Sequence, residues 1–196
     1  MPSTGEPKQN PRTTRVRQVV LDAAIELLLN CGAGEVTATR VADETGVART
    51  TIYRHWPDQP SLLLATIEAL VAPHSATLDS GDLRADLTTT LTRLRTRLET
   101  RQVRPVFSAL VDHASRDDAF VAAQRRFVEG LTQPTIDVLE AGHRRGDLHS
   151  AVDVAEAAAR LTGPLFHQHL LMLTAITDEL IADVVAQFMT SNSDAD

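Results

Sequence analysis

Arginine, tyrosine and hydroxyl side chains are concentrated in the stretch GVARTTIYRHWPDQPSLL, residues 46–63. A helical wheel of this stretch places Thr50 and Arg54 on the side opposite Ile52. A guanidinium group binds the edge of guanine bidentately, and hydroxyl or imidazole groups bind phosphate oxygens. The residue types and their spacing therefore favour a narrow DNA-reading helix face, with an ordinary solvated helix face as the alternative.

The opposite side of the same wheel carries Ala48, Ile52 and Trp56 and is predicted to pack inward. Arg49 and Tyr53, four residues apart, form the flank between the two sides. For Trp56 we favour packing beneath the turn over stacking on a base, because it shares the side of Ile52.

Two short helices joined by a tight turn position this face. Thr37 is the predicted N-cap of the first, which ends at Thr45, and Gly46 supplies the turn. The second occupies residues 48–55. Two short helices connected by a turn that contains glycine indicate a helix-turn-helix.

The remaining segments also have helical periodicity, and no strand signal accompanies them. One helix is predicted from Thr13 to Gly32, and another begins at the N-cap Asp58 and stops at Pro73. The fold class is therefore all-α, with ten helices, or nine if Pro134 only bends one of them. The later helices are expected at residues 83–100, 102–114, 118–132, 134–145, 151–174 and 178–190.

Charge is distributed unevenly along the 196 residues. The net charge is −7, yet residues 1–56 carry about +1 and the remainder about −8. A basic head on an acidic body is typical of a polyanion-binding domain attached to a separate one. The lone cysteine, Cys31, is expected to be a small core residue, and the lack of a leader or a long apolar run predicts a cytoplasmic protein without membrane contact.

The helix-turn-helix strongly resembles the N-terminal domain of TetR-family transcriptional regulators. The likeness spans residues 14–66 and is carried by Val36-Thr37, Val41-Ala42, Thr45-Gly46-Val47, the run from Thr51 to Asp58, and Leu62-Leu63. At position 59 this chain has Gln where the family usually has a phosphate-binding Lys, which predicts weaker nonspecific DNA affinity and a smaller salt slope. The DNA-binding residues that the resemblance and the wheel together imply are Thr37, Thr39, Arg40, Arg49, Thr50, Thr51, Tyr53, Arg54, His55 and Gln59.

Three regions are predicted. Residues 1–11 are polar and without periodicity, which predicts a disordered arm, and Arg12, Arg15 and Arg17 extend its basic character. The resemblance implies a DNA-binding domain with its connecting helix over 12–73 and a ligand-binding and dimerising domain over 74–196. The arm is expected either to be a solvated tail or to reach the DNA backbone or minor groove.

In the C-terminal region the family's last two helices form a four-helix bundle between subunits. The dimer candidates here are Val154, Ala158, Leu161, Leu165, Leu180, Val184 and Phe188. The ligand-pocket candidates, for each of which plain core packing is the alternative, are Phe107, Leu110, His113, Phe127, Leu131, Phe166, His167 and Met172. His167 and His169 point apart on a helix, so no metal site is predicted, and no cofactor is expected.

The function expected is a repressor that binds a palindromic double-stranded DNA operator as a homodimer and is released by a small-molecule effector of unknown identity. The alternative is a DNA-binding regulator or activator without an effector. An enzyme is disfavoured, because the sequence has no Gly-rich phosphate loop, GxSxG elbow or HExxH motif.

Overall fold

The computed structural model describes residues 11–70 and 78–193, and every regular element within these ranges is helical. The predicted all-α class, with an N-terminal helix-turn-helix and a C-terminal helical domain, is confirmed. The chain divides into two compact units, with the boundary between residues 71 and 72. The predicted arm, apart from Pro11, and the predicted helix stop at Pro73 lie outside the described residues.

The first unit contains four helices around one apolar core. The helices are α1 (Pro11–Cys31), α2 (Ala38–Thr45), α3 (Arg49–His55) and α4 (Gln59–Leu70), with a 3₁₀ turn at Ala33–Glu35 between α1 and α2. The core side chains include Val20, Leu28, Val36, Val41, Ile52, Trp56, Leu62, Leu63 and Ile67.

Two expectations for α1 need correction. The helix begins at Pro11, two residues before the predicted start at Thr13, and it contains Arg15 and Arg17 as predicted. Proline is tolerated in a first turn, where its missing N–H has no intrahelical partner to lose. Cys31, expected in the core, is exposed, because it is the last residue of α1 and the chain turns away at Gly32, whose φ is 91°.

The second unit contains five helices. They are α5 (Leu83–Leu98), α6 (Val103–Ala114), α7 (Asp118–Arg145), α8 (Val154–Phe166) and α9 (Asp178–Ser193). With α1 to α4 this makes nine α-helices in the described part of the chain, the smaller of the two predicted numbers. No helix described here is long and apolar enough to cross a membrane.

The predicted break at Pro134 is absent, and α7 continues through it. Proline lacks the N–H that would bond to the carbonyl four residues earlier, which is that of Gly130. Arg97 of α5 donates from Nη1 to this carbonyl oxygen at 2.8 Å. The guanidinium group replaces the missing helix donor, which explains how the helix tolerates the proline.

The predicted helix over 151–174 is shorter and changes geometry near its end. Regular α-helix stops at Phe166, and residues His167–Leu171 form a π-helical turn in which Met172 N donates to His167 O at 2.9 Å. Leu173 follows with φ 57°, a left-handed conformation that ends the segment. Side chains after Phe166 therefore point in directions that a continuous helix does not predict.

Candidate nucleic-acid interface and ligand cavity

The turn between α2 and α3 is fixed by local hydrogen bonds. Thr37 caps α2 by accepting from Arg40 N at 3.2 Å, as predicted. At the other end Thr45 Oγ1 donates to Val41 O at 2.6 Å and accepts from Val47 N at 3.2 Å. Gly46 has φ 71°, in the left-handed region that favours glycine. Short-range chemistry therefore sets the direction in which α3 leaves the turn.

Helix α3 presents one buried and one exposed side, largely as the wheel predicts. Ile52 is fully buried and Trp56, directly after the helix, is 4% exposed. Ala48 is exposed and does not share their side, because it is the extended N-cap residue before the first helical turn. The predicted DNA-facing side chains of Arg49, Thr50, Tyr53 and Arg54 are exposed, and we call them the recognition face.

The remaining DNA-binding candidates on α2 and α3 are also accessible to different degrees. Thr39 and Arg40 are exposed, whereas Thr37, Thr51 and His55 are half-buried. Half-buried hydroxyl and imidazole groups at the edge of a helix are suited to phosphate oxygens more than to base edges.

The arginines near the recognition face differ in their partners. Arg40 Nε lies 3.3 Å from Glu35 Oε2, and Arg49 Nη2 lies 3.8 Å from Asp43 Oδ1. Both pairs are largely exposed, and exposed ion pairs contribute only about 0.2–1 kcal/mol. Arg54 has no ion pair with any residue that the structure describes. All three guanidinium groups are therefore available to an anion at little electrostatic cost.

Trp56 joins α3 to α1. The Arg17 guanidinium carbon lies 5.8 Å from the centre of the Trp56 ring, within cation–π distance. The His55 and Trp56 rings are 5.6 Å apart and tilted by 56°. Arg17, one of the three arginines expected to extend the basic arm, is exposed and lies over the indole beneath the recognition helix.

The N-terminus of α4 is capped reciprocally. Asp58 Oδ1 accepts from Ser61 N at 2.9 Å, and Ser61 Oγ accepts from Asp58 N at 3.3 Å. The bond from the Ser61 backbone, with that from its hydroxyl, holds the pKa of the Asp58 carboxyl below its ordinary value. Asp58 is thus the N-cap that the sequence predicts.

The Gln59 side chain donates hydrogen bonds to the backbone of the same protein. Nε2 donates to Gly34 O at 3.2 Å and to Ala33 O at 3.4 Å, which ties the start of α4 to the 3₁₀ turn after α1. The amide hydrogens expected to reach a phosphate are therefore directed toward backbone carbonyls. This tether was not evident from the sequence, because the partners lie 25 and 26 residues away.

The second unit contains an apolar, partly open cavity of about 220 Å³ between α6, α7 and the end of α8. Five of the eight predicted pocket residues line it: Phe107, Phe127, Leu131, Phe166 and His167. Sequence reasoning missed four further lining residues: Val128, Gly163, Leu170 and Leu171. The two leucines reach the cavity through the π-helical turn.

Three predicted pocket residues do not line this cavity. Leu110 is fully buried in the core. His113 stacks on Phe120 at 4.7 Å, and its Nδ1 lies 3.0 Å from the Ala109 carbonyl oxygen of its own helix. Met172 is 55% exposed, because it follows the π-helical turn rather than continuing α8.

The seven predicted dimer residues separate into two sets. Ala158, Leu161 and Leu165 are at most 1% exposed and pack in the core of their own protomer, so they are not free to form a subunit interface. The other four are only half-buried: Val154, Leu180, Val184 and Phe188. A wheel of one helix could not separate these sets, because both lie on broad apolar stripes.

His169, on the π-helical turn, is buried against α6. Arg104 Nε donates to His169 Nε2 at 3.2 Å. Burial, followed by the positive charge of Arg104, lowers the pKa of the His169 imidazole, while Glu99 and a hydrogen bond with the Leu98 backbone act in the opposite direction. Within residues 11–70 and 78–193 no group of three or more His, Cys, Asp or Glu side chains is placed to hold a metal ion.

Comparison with known proteins gives matches in both units. Residues 20–66 match the family described as bacterial regulatory proteins, tetR family, and residues 77–188 match the family described as tetracyclin repressor-like, C-terminal domain. The uncharacterized HTH-type transcriptional regulator YdeS of Bacillus subtilis is 25% identical over 176 residues, covering 89% of this chain and 88% of the relative.

Solved structures share the fold across nearly the whole chain. A TetR transcriptional regulator from Agrobacterium tumefaciens has a TM-score of 0.74 and 22% identity, covering 93% of this chain and 94% of that one. A transcriptional regulator from Saccharomonospora viridis, crystallised in complex with choline, has a TM-score of 0.65 and 19% identity, covering 91% of this chain and 97% of that one.

Proposed function

The chain belongs to the TetR family of helix-turn-helix transcriptional regulators, and on that premise we propose that it is an effector-responsive repressor. It binds a palindromic operator as a homodimer and leaves it when a small molecule binds the second unit. The observation that carries this proposal is the recognition face, four exposed polar side chains on a helix anchored by buried Ile52 and Trp56.

Different side chains on and beside the recognition face are suited to bases and to phosphates. Arg54, exposed and without an ion pair among the described residues, is suited to bidentate binding of guanine O6 and N7. Thr50 permits close approach to a groove. Tyr53 and the half-buried Thr51 and His55 are suited to phosphate oxygens, which fix the register of the helix.

The half-buried face of α9 supports a homodimer. Leu180, Val184 and Phe188 recur every four residues, while Ile181 and Val185 fill the protomer core. A second copy of the chain can cover this remaining apolar stripe. Two subunits related by a twofold axis place their recognition helices in successive major grooves, about 34–36 Å apart.

The cavity in the second unit is the proposed effector site. The choline complex of the Saccharomonospora regulator supports the view that this fold can hold a small molecule, without indicating which molecule binds here. An effector that prefers the DNA-incompetent conformation by a thousandfold shifts the equilibrium by about 4 kcal/mol.

Fluorescence anisotropy with DNA flanking the protein's own gene tests DNA binding. We expect binding at least a hundredfold tighter than to a random duplex of equal length, and equal affinities would contradict the proposal. Arg54→Ala is expected to reduce this preference, whereas Arg93→Ala, which removes an exposed charge from α5, is the matched control.

Two further measurements test the homodimer and the repression of transcription. Analytical ultracentrifugation of the full chain should give a dimer, and a monomer at micromolar concentration would contradict the homodimer. Transcription in vitro from the bound promoter should fall when the protein is added, and a rise would indicate an activator instead.

A further inference from the structure

The lining of the cavity restricts what it can bind. Three aromatic rings face it from three different helices, those of Phe107, Phe127 and Phe166. The other lining residues are aliphatic or glycine, with the exception of His167. No carboxylate or guanidinium group belongs to the part of the lining that the structure describes.

The volume sets the size of the ligand. An engineered apolar cavity of about 150 Å³ in another protein stays dry and accepts benzene. At about 220 Å³ the present cavity is larger by nearly half and is open on one side, so it accommodates about nine to twelve non-hydrogen atoms. This size corresponds to a substituted single ring or a fused pair of rings.

The polarity of the lining sets the chemistry of the ligand. A carboxylate brought into an apolar cavity without a partner loses its hydration and gains no compensating charge. Stacked and edge-to-face contacts with the three phenylalanines favour an aromatic ligand. His167 is exposed, so it stands where the cavity meets solvent and can bond to one hydroxyl or carbonyl group of the ligand.

Resting on the proposed function, we propose that this effector site takes a neutral aromatic compound of one or two rings with a single hydrogen-bonding group. The site does not take a carboxylate of similar size.

Isothermal titration calorimetry of the full chain with two probes tests this proposal. The probes are 1-naphthol, which is neutral with two rings and one hydroxyl, and 1-naphthoate, which carries a carboxylate on the same ring system. We expect one 1-naphthol per chain, with 1-naphthoate binding at least tenfold more weakly. Equal or tighter binding of 1-naphthoate would overturn the proposal.

A matched pair of variants locates the binding site on α7. Val128 lines the cavity and Val121 does not, and both are half-buried on the same helix seven residues apart. Val128→Phe should weaken 1-naphthol at least tenfold by filling the cavity, whereas Val121→Phe should bind within twofold of the parent. Equal losses in the two variants, or none in either, would place 1-naphthol elsewhere and overturn the proposal.

A second cavity-filling variant, on α8, tests whether 1-naphthol binds in the cavity if Val128→Phe does not fold. A Cβ at Gly163 meets no atom within 4 Å, so Gly163→Leu can extend into the cavity. Gly130→Ala, whose Cβ also meets no atom within 4 Å, is the control outside the lining. Thermal unfolding of each variant confirms that it is folded before titration.

Release from DNA is measured separately on the same samples. If 1-naphthol binds in the cavity and the operator complex persists, the proposed ligand class is supported and the proposed release from DNA by an effector is contradicted. If DNA binding and release by another compound are established but 1-naphthol does not bind, the proposed function stands and the ligand class is wrong.

Discussion

Arg97 donates a 2.8 Å hydrogen bond to the carbonyl oxygen of Gly130, the carbonyl that Pro134 leaves without a helix donor. This contact joins α5 to the middle of α7, the helix that carries Phe127 and Leu131 of the cavity. Burial lowers the pKa of the Arg97 guanidinium. The guanidinium group nevertheless stays charged, because arginine is not deprotonated in proteins, and it completes the helix from a partly buried position.

Arg97→Ala is expected to lower the free energy of unfolding by about 1.5–3 kcal/mol, since it removes a charged donor from a carbonyl. In a Pro134→Ala background the backbone N–H at position 134 can bond to Gly130 O. We therefore expect Arg97→Ala to cost at least about 1 kcal/mol less there. Urea unfolding of the four proteins measures the coupling, and additive effects would show that the two features are independent.

Tyr53 is 49% exposed, so Tyr53→Ala should change the free energy of unfolding by less than about 0.5 kcal/mol. Loss of one phosphate hydrogen bond should weaken operator binding by about 0.5–1.5 kcal/mol, or roughly two- to tenfold. Tyr53→Phe separates the hydroxyl from the ring, and Val111→Ala, at a side chain 47% exposed, is the control. A markedly lower melting temperature for Tyr53→Ala would make Tyr53 a structural residue.

Gln59 tests whether position 59 contacts DNA. Its amide bonds to Gly34 O and Ala33 O, so Gln59→Ala should leave the affinity for DNA unchanged at each salt concentration. Gln59→Lys should make the slope of log K against log salt steeper by about 0.9, because one more phosphate is neutralised. Anisotropy titrations at several salt concentrations measure both slopes. An unchanged slope for Gln59→Lys would show that this position does not reach the backbone.

The DNA-binding unit was more predictable than the cavity because its determinants are local. The cap at Thr37, the glycine turn at Gly46 and the burial of Ile52 each depend on residues within a few positions. The continuation of α7 through Pro134 depends instead on Arg97, whose partner carbonyl is 33 residues away. The spacing of apolar residues along one helix cannot indicate a hydrogen-bond partner on another helix.

The cavity residues show the same limit. Leu110 and Met172 looked alike as apolar residues on predicted helices, yet one is fully buried and the other is 55% exposed. Met172 is exposed because α8 changes into a π-helical turn before it, and the same turn brings Leu170 and Leu171 to the cavity. Such turns depend on tertiary packing and on rare helix geometry.

His169 predicts a loss of stability on the acid side of neutrality. Burial and Arg104 lower the pKa of its imidazole in the folded protein. Above about pH 6.5 the group is neutral in both states; below it, the unfolded chain binds a proton that the folded chain does not. The free energy of unfolding should therefore fall as the pH is lowered from about 6.5 toward the lowered pKa.

His169→Gln should flatten this part of the stability curve, while His167→Gln, at an exposed imidazole, should retain it. Urea unfolding between pH 5 and 8 gives the three curves, and coinciding curves for wild type and His169→Gln would refute the assignment.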